Sequence, residues 1–412
     1  MDVVHSHCCG LDVHKKNVVA CVLTPGQNGR PAKEIRTFGT MTDDLLQLAD
    51  WLVQYGCTHV AMESTGVYWK PIHNLLEGQF TLVLVNAQHF KQVPGRKSDV
   101  RDCEWLATLL RHGLVRASFV PEKPQRELRE LTRYRAALIR ERTAEVNRLQ
   151  KTLEGANIKL AAVASEITGV SARQMLTAMI GGETDPTLLA AMARGKLKRK
   201  IPVLERALRG QFGAHQRFLV EQQLAHLDEL DARVAAVSAH IAEQLRPHEA
   251  TLARLESIPG VGRRTAEVIA AEVGLDVRRF PTEKHLAAWA GMAPGQHESA
   301  GKRKSGKTRK GSPWLRSALV EAARAAARTK GTYAAAQYHR IAGRRGAKRA
   351  AVAVGHSLLV ASYHMLDKGM AYEELGGQYF DERDRTEVVR RCKQRIEKLG
   401  YHVTLEALPA AA

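Results

Sequence analysis

The chain has 412 residues, enough to bury large cores and to form two or three domains. Lys and Arg number 62 against 43 Asp and Glu, a formal charge of +19, so a polyanionic partner is expected, nucleic acid before membrane. Aromatic residues make up 5%, which argues against wide base-stacking platforms and favours phosphate contacts. The six cysteines show no zinc or disulfide spacing, and no apolar stretch reaches the ~20 residues of a membrane span. These features predict a soluble, cytoplasmic protein with no membrane partner.

The first 120 residues predict an α/β domain. Apolar runs and turn residues indicate, in chain order, strands at 8–13, 18–23 and 32–40, a helix at 42–55 capped by Thr42, a strand at 57–62, a helix at 67–76, a strand at 80–85, a basic loop at 88–97 and a helix at 98–112. A hairpin meander followed by helical crossovers predicts a mixed sheet.

One carboxylate, Asp12, falls within the first predicted strand. The period-two rule places Gly10, Asp12 and His14 on one face of that strand. A carboxylate on a central strand is costly unless it has partners or a cation. Asp12 is therefore either satisfied by a neighbouring basic group or turn amide, or part of a cation site that needs further acids.

Three further acids are candidates to join Asp12. Glu63 follows the fourth strand, at the sheet edge where open α/β sheets place their sites, although it could equally be a pre-helical cap. Asp99 and Asp102 share one helix face, although acids in a first turn also suit the helix dipole. Four clustered carboxylates repel one another and would need Mg²⁺ or Mn²⁺, and two such ions can clamp a phosphodiester during in-line displacement.

Residues 121–250 predict two long helical arms, with a helical insert at about 155–213 and a basic run at 196–200 between them. Leucines recur at helical spacing in the first arm, and apolar residues alternate by three and four in the second, a coiled-coil pattern. Such arms favour a homodimer, and an intramolecular hairpin is the alternative.

Residues 251–366 predict a mainly helical domain that opens on the run I-P-G-V-G. Gly260 and Gly262 could let the backbone approach a phosphate at a helix N-terminus, as in a helix-hairpin-helix, and a plain helical connection is the alternative. The residues predicted to contact nucleic acid are Lys97, Gly260, Gly262, Lys302, Arg303, Lys304, Lys307, Arg309 and Lys310.

Serines punctuate the basic segment of this domain, which is dense in Gly, Ser, Lys and Arg and predicts a long loop before a helix at about 313. Most serines in such loops only solvate the backbone, and this is the default interpretation for Ser299, Ser305 and Ser312. A second basic run at 340–349 and an apolar helix at 350–366 follow, and 367–412 is a charged tail predicted to pack only partly.

Five segments together resemble the DEDD transposases of bacterial insertion sequences, the insertion-sequence one-ten family with its eleven-eleven subgroup and the related pilin-gene invertases. The resemblance covers about residues 10–366, and its segments are G-L-D-V-H-K, A-M-E-S-T-G-V-Y-W, R-K-S-D-V-R-D-C-E-W-L-A, I-P-G-V-G and G-M-A-P-G-Q-H-E-S-A-G-K-R. The length of the insert fits the eleven-eleven subgroup.

The resemblance implies a RuvC-like (RNase H-like) domain whose acids are Asp12, Glu63, Asp99 and Asp102, and a C-terminal transposase domain whose nucleophile is Ser299, with Ser305 as the alternate. It implies a nucleoid-associated bacterial recombinase that acts on donor and target DNA under the guidance of an element-encoded bridge RNA. It also implies dimers that pair into tetramers, with acids and serine from different subunits in one site.

Two other functions remain open on the residues alone. A RuvC-like nuclease or junction resolvase would hydrolyse DNA with metal-activated water and would need no serine nucleophile. A non-catalytic nucleic-acid-binding scaffold would use the acids only structurally.

Overall fold

The structure, a computed structural model, describes residues 2–26, 30–64, 66–85, 99–295, 297–299 and 301–406, without the side chains of residues 99–101, 297, 299, 303 and 304. The predicted basic loop at 88–97, with Lys97, lies outside the described residues. The chain divides into two units, Met1–Glu122 and Lys123–Ala412. No helix among the described residues is long and apolar enough to cross a membrane.

The first unit is built on a five-stranded sheet of order β3-β2-β1-β4-β5. Its elements are β1 (Cys8–Val13), β2 (Asn17–Thr24), β3 (Ala32–Gly39), α1 (Thr42–Gln54), β4 (His59–Glu63), α2 (Trp69–Leu76), β5 (Thr81–Val85) and α3 (Asp99–Arg111). The first three strands are antiparallel neighbours, and β1, β4 and β5 are parallel. The predicted mixed α/β sheet is confirmed.

Alternating residues of β1 and β2 divide the first unit into two cores. Leu11, Val13 and their neighbours pack against α1 and α2, whereas Cys8 and Cys21 pack against α3 on the other face. This alternation follows from the period-two rule, because successive side chains of a strand point to opposite faces.

Several element boundaries differ from prediction by one or two residues, and local hydrogen bonds explain the starts of α1 and β4. The N-cap of α1 is Met41, whose backbone N–H donates to the carboxylate of Asp44 at 3.3 Å, so Thr42 lies inside the first turn. The fourth strand begins at His59 and not at residue 57, because the Cys57 N–H bonds to the carbonyl of Leu52 and closes the preceding helix.

The second unit is almost entirely helical, as predicted for the remainder of the chain. Its elements are α4 (Lys123–Gly155), α5 (Leu160–Val163), α6 (Val170–Ile180), α7 (Pro186–Ala191), α8 (Ile201–Ala207), α9 (Ala214–Leu245), α10 (Glu249–Glu256), α11 (Arg263–Val273), α12 (Glu283–Trp289), β6 (His297–Ser299), β7 (Lys302–Ser305), α13 (Pro313–Ala326), α14 (Tyr333–Arg345), α15 (Ala347–Lys368), α16 (Tyr379–Arg383) and α17 (Arg385–Glu397). Short 3-10 turns occupy Gly195–Lys200 and Arg246–His248.

The two long helices α4 and α9 pair antiparallel. Arg142 of α4 binds Asp231 of α9, and one end of the pair is held by the Gln223 side-chain amide, which donates to Thr152 at 3.1 Å. Helices α5–α8 enclose a core of their own with the adjoining ends of α4 and α9. The C-terminal helices α10–α15 form the largest core, and no residue of α17 is buried.

Candidate functional site

Two of the predicted acids occupy neighbouring positions at one edge of the sheet. The parallel pairing of β1 with β4 runs to Leu11 opposite Met62, so Asp12 and Glu63 are the next residues of their strands. Leu11 and Met62 both face the core under α1 and α2. Asp12 and Glu63 therefore face the opposite side, towards α3, at the carboxyl ends of both strands.

A glycine brings α3 close to this edge. A Cβ on Gly10 would lie 2.3 Å from the carbonyl oxygen of Cys103, so only glycine lets the helix rest on the β1 backbone at this point. The pKa of Cys103 is lowered by its hydrogen bond with Cys21, and burial and the nearby charge of Asp12 partly oppose this shift. Asp102, half-buried, immediately precedes Cys103. Asp102 therefore belongs to the helix that packs on the sheet face of Asp12 and Glu63.

The fourth predicted acid, Asp99, is the first residue of α3, one turn before Asp102. Its backbone belongs to the helix, and its side chain lies outside the described part of the structure, as does Ser98.

A histidine that sequence reasoning placed on the strand face, but gave no role, contacts the first acid. The Nε2 atom of His14 lies 3.1 Å from Oδ2 of Asp12. The side chain of Asp12 is 16% exposed and that of His14 is 43% exposed. The period-two alternation of β1 was the signal for this pair, because residues 12 and 14 share a face.

The donor set at this edge fits a hard divalent cation in kind, since carboxylate oxygens are the ligands that Mg²⁺ and Mn²⁺ prefer. Within the described residues, however, no three His, Cys, Asp or Glu side chains come close enough together to hold a metal ion. The thiol of Cys8 is a poor ligand, because burial raises its pKa to about 11 and keeps it protonated.

Ser299 lies in a short hairpin, where composition predicted only a loop. Strands β6 and β7 pair antiparallel, with Ser299 opposite Lys302 and Gly301 at φ +71 in the connection. Glycines also close the base of the segment, because a Cβ on Gly291 would lie 2.7 Å from the N atom of Gly311. The two ends of the basic segment, at Gly291 and Gly311, are therefore in close contact.

The other two serines make local contacts. Ser305 Oγ accepts from the backbone N–H of Lys307 at 3.1 Å. Ser312 is the N-cap of α13 and accepts from Leu315 N at 3.3 Å, while its own hydroxyl donates to Glu272 at 3.0 Å. The side chain of Ser299 lies outside the described part. The described side chains on this segment that were predicted to contact nucleic acid are all exposed, and they are Lys302, Lys307, Arg309 and Lys310.

The two glycines of the I-P-G-V-G run have different surroundings. A Cβ on Gly260, at φ +86, would lie 2.3 Å from the carbonyl oxygen of Ala322, so this glycine is required by packing against α13 of the same chain. Gly262 is the N-cap of α11 and has open space around it. Of the two, only Gly262 leaves room for a phosphate.

The acid edge lies in the first unit, and the serine hairpin and I-P-G-V-G run lie in the second.

Two parts of the chain match known protein families. Residues 9–158 match the DEDD transposase model of IS110 type, and residues 252–339 match the model described as transposase IS116/IS110/IS902 family. Together these two segments span more than half of the chain. The chain is 28% identical over 286 residues to the "Probable family 20 transposase" of Pseudomonas aeruginosa, covering 68% of this chain and 75% of that protein. It is 26% identical over 296 residues to the transposase for insertion sequence element IS1111A of Coxiella burnetii, covering 70% and 72%. The first match includes the mixed sheet, and the second lies mainly on helices. The chain belongs to the IS110 family of transposases.

Proposed function

We propose that this transposase cuts and rejoins DNA strands at a site formed by four acids and one serine. Asp12, Glu63, Asp99 and Asp102 would hold Mg²⁺ or Mn²⁺, and Ser299 would be the nucleophile. The observation that carries the proposal is the position of Asp12 and Glu63 at neighbouring strand ends, on the sheet face against which the helix of Asp102 packs. The antiparallel-then-parallel strand order supports a RuvC-like fold for this unit.

A bound divalent cation would neutralise the phosphate oxygens and make the phosphorus easier to attack. The acids themselves hold negative charge at the edge, and the His14 ring, 3.1 Å from Asp12, fixes the orientation of that carboxylate. A hydroxyl is a weak nucleophile at its free pKa, so the cation Lys302, opposite Ser299 in the hairpin, would stabilise the attacking oxygen.

The serine step conserves the energy of the phosphodiester. The Ser299 hydroxyl loses its proton and forms an O–P bond, the O–P bond to the departing deoxyribose breaks, and the departing oxygen takes up a proton. A hydroxyl of a second strand then attacks the phosphoserine and releases the serine hydroxyl. No outside energy source is needed, because one phosphate ester replaces another at each step.

Guidance and assembly complete the proposal. An element-encoded bridge RNA would choose donor and target DNA, and the charge of +19 supports binding of more than one nucleic-acid strand. A homodimer that pairs into a tetramer would join the acids of one subunit to the serine of another. The helices α4 and α9, which pair with each other within one chain, would form the coiled-coil arms of this assembly. Helix-hairpin-helix contacts at Gly262 would grip the backbone.

The test is a covalent trap. Wild-type protein with its copurifying RNA, incubated with labelled DNA and Mg²⁺, is expected to give a protein–DNA adduct on a denaturing gel, mapped by peptide mass to Ser299. Ser299→Ala should abolish the adduct while binding is retained, and Ser305→Ala, the matched control, should keep it.

Four outcomes would contradict parts of this proposal. An adduct on Ser305 would move the nucleophile, and cleavage without any adduct would favour a RuvC-like junction resolvase that uses water. Absence of all metal-dependent cleavage would favour a binding scaffold. Full activity after ribonuclease treatment would rule out the RNA guide.

A further inference from the structure

A cavity of about 1080 Å³ lies in the second unit beside the serine hairpin. It is walled by the end of the hairpin segment and by helices α13, α14 and α15. Five cations contribute to its wall, and we call it the cationic cleft: Lys307, Arg316, Arg345, Lys348 and Arg349. None of the residues described along this wall is acidic.

The turn between α14 and α15 concentrates this charge. Gly346 has φ +83 and ends one helix directly before the next begins, so Arg345, Lys348 and Arg349 stand at a single corner. None of these three forms an ion pair with a carboxylate of the described residues. A concentration of like charge without counter-charge is unfavourable by itself and is relieved by a bound anion.

Of the two remaining cations, Arg316 connects the wall of the cleft to the basic segment. Arg316 donates to the carbonyl of Gly291 at 2.9 Å and to the hydroxyl of Thr308 at 2.7 Å. Its partners are neutral, so its charge is not cancelled. Lys307 is exposed and also lines the cleft.

The floor of the cleft offers unused hydrogen-bonding groups between apolar side chains. Oε1 of Gln337 and Nδ1 of His356 are buried and have no hydrogen-bond partner in the described structure. Burial lowers the pKa of His356, so its ring is neutral at pH 7 and can donate or accept one hydrogen bond. Unsatisfied buried polar atoms of this kind cost free energy until a ligand binds them.

The cleft adjoins the strand that reaches Ser299. Ser305 lines the cleft and pairs with His297, two residues before Ser299 in β6. Two residues of β-strand span about 7 Å. The cleft therefore begins two strand residues away from Ser299.

We propose that the cationic cleft binds an unpaired nucleic-acid strand, with phosphates on its five cations and a base turned towards Gln337 and His356. The volume exceeds the ~300–1,000 Å³ common for small-ligand pockets, which suits a strand segment more than a free phosphate. This inference rests on the proposed function in one respect: the strand is the one whose phosphate meets Ser299. DNA and RNA share the recognised chemistry.

The test measures binding of full-length protein to labelled oligonucleotides of about 12 nucleotides, as single-stranded DNA, single-stranded RNA and duplex DNA, over a range of salt. Arg345→Gln/Lys348→Gln should lower the log–log salt slope for single strands by about 1.4, since each phosphate contact contributes about 0.7. Affinity near physiological salt should fall on the order of tenfold. The control Arg328→Gln/Lys330→Gln removes the same charge from exposed positions outside the cleft and should change neither quantity.

A second variant separates shape from charge. Ala353→Trp fills the cleft from α15 and should weaken single-strand binding more than duplex binding, with folding verified by thermal melting. Loss of binding for DNA alone or for RNA alone would support the proposal and identify which nucleic acid the cleft binds. Equal losses in the two double variants, or unchanged single-strand binding in a folded Ala353→Trp protein, would overturn the proposal. Ser299→Ala should bind single strands like the wild type. If wild-type protein gave no adduct but the cleft variants still weakened single-strand binding, the nucleophile would be rejected and the cleft would not.

Discussion

Carboxylates occupy two contrasting settings in this transposase. Where α4 meets α11, Glu267 and Glu272 are buried, at 2% and 1% exposure. Glu267 binds the buried Arg135 at 2.6 Å, and Glu272 takes two hydrogen bonds from Arg133, at 2.7 and 2.9 Å. At the sheet edge of the first unit, by contrast, Asp12 is 16% exposed and contacts a histidine. No ion pair with Lys or Arg is recorded among the described residues for the edge acids Glu63 and Asp102.

The contrast separates carboxylates that stabilise the fold from those available for chemistry. Desolvating a charge costs several kcal/mol unless a partner compensates, which is why the junction acids have arginine partners. Glu63 and Asp102, which have no Lys or Arg partner among the described residues, are instead available to a cation. Substitutions at the junction should therefore act on stability, and substitutions at the edge should act on activity.

The largest effect is expected at the edge. Asp12→Asn should lower strand cleavage by more than about a hundredfold, because even groups that only support metal ligands are worth 10–100-fold. Asparagine keeps the shape and hydrogen-bonding atoms but removes the charge. Cleavage of labelled DNA in Mg²⁺ measures the loss, and Asp102→Asn should behave alike.

The matched control for this variant is Asp50→Asn, which changes an exposed aspartate of α1 in the same unit. It should leave cleavage unchanged, and nucleic-acid binding should persist in all three variants. If Asp12→Asn cleaved DNA at the wild-type rate, Asp12 would have only a structural role. The edge acids would then not differ in function from the buried acids at the junction.

The next effect concerns the buried pair at the junction. Glu267→Ala leaves the guanidinium of Arg135 buried without its carboxylate and should destabilise the second unit by about 3–5 kcal/mol. Replacing both residues, as Arg135→Met/Glu267→Met, should recover much of that loss. Denaturant unfolding measures both changes.

The exposed pair Arg324–Glu321 supplies a control on α13. Glu321→Ala should cost at most about 1 kcal/mol, as is usual for surface ion pairs. If Glu267→Ala cost no more than Glu321→Ala, burial would not distinguish the two kinds of carboxylate.

The smallest effect is expected where a serine links the junction to the basic segment. Ser312→Ala removes the acceptor for Leu315 N and one donor to Glu272, and should cost about 1 kcal/mol, the usual value of an N-cap. Hydrogen exchange at the Leu315 amide should become faster, and Ser312→Thr should restore protection. Unchanged exchange in Ser312→Ala would mean that α13 does not depend on this cap.

Sequence patterns of neighbouring residues were sufficient to predict several helices and strands. The first strand lies at 8–13 and α13 begins at Pro313, as predicted, because alternation of side chains and a Ser-Pro start are properties of neighbouring residues. The face shared by Asp12 and His14 followed from the same alternation. The hairpin of Ser299 was missed, because glycine and lysine disfavour strands and the pairing depends on the pinned glycines of its base.

The sequence alone determined the acid-bearing strand, the order of helices and the excess of positive charge. Only the tertiary structure decided which charges are neutralised within the chain. Arg135 and Glu267 are 132 residues apart in sequence yet form a buried pair, whereas Arg345, Lys348 and Arg349 cluster without carboxylates beside the serine hairpin. It also decided that Gly260 serves packing against α13. The physical reason is that helix and strand periodicity depends on neighbours in the chain, whereas charge pairing and close backbone approach depend on elements brought together from distant parts of it.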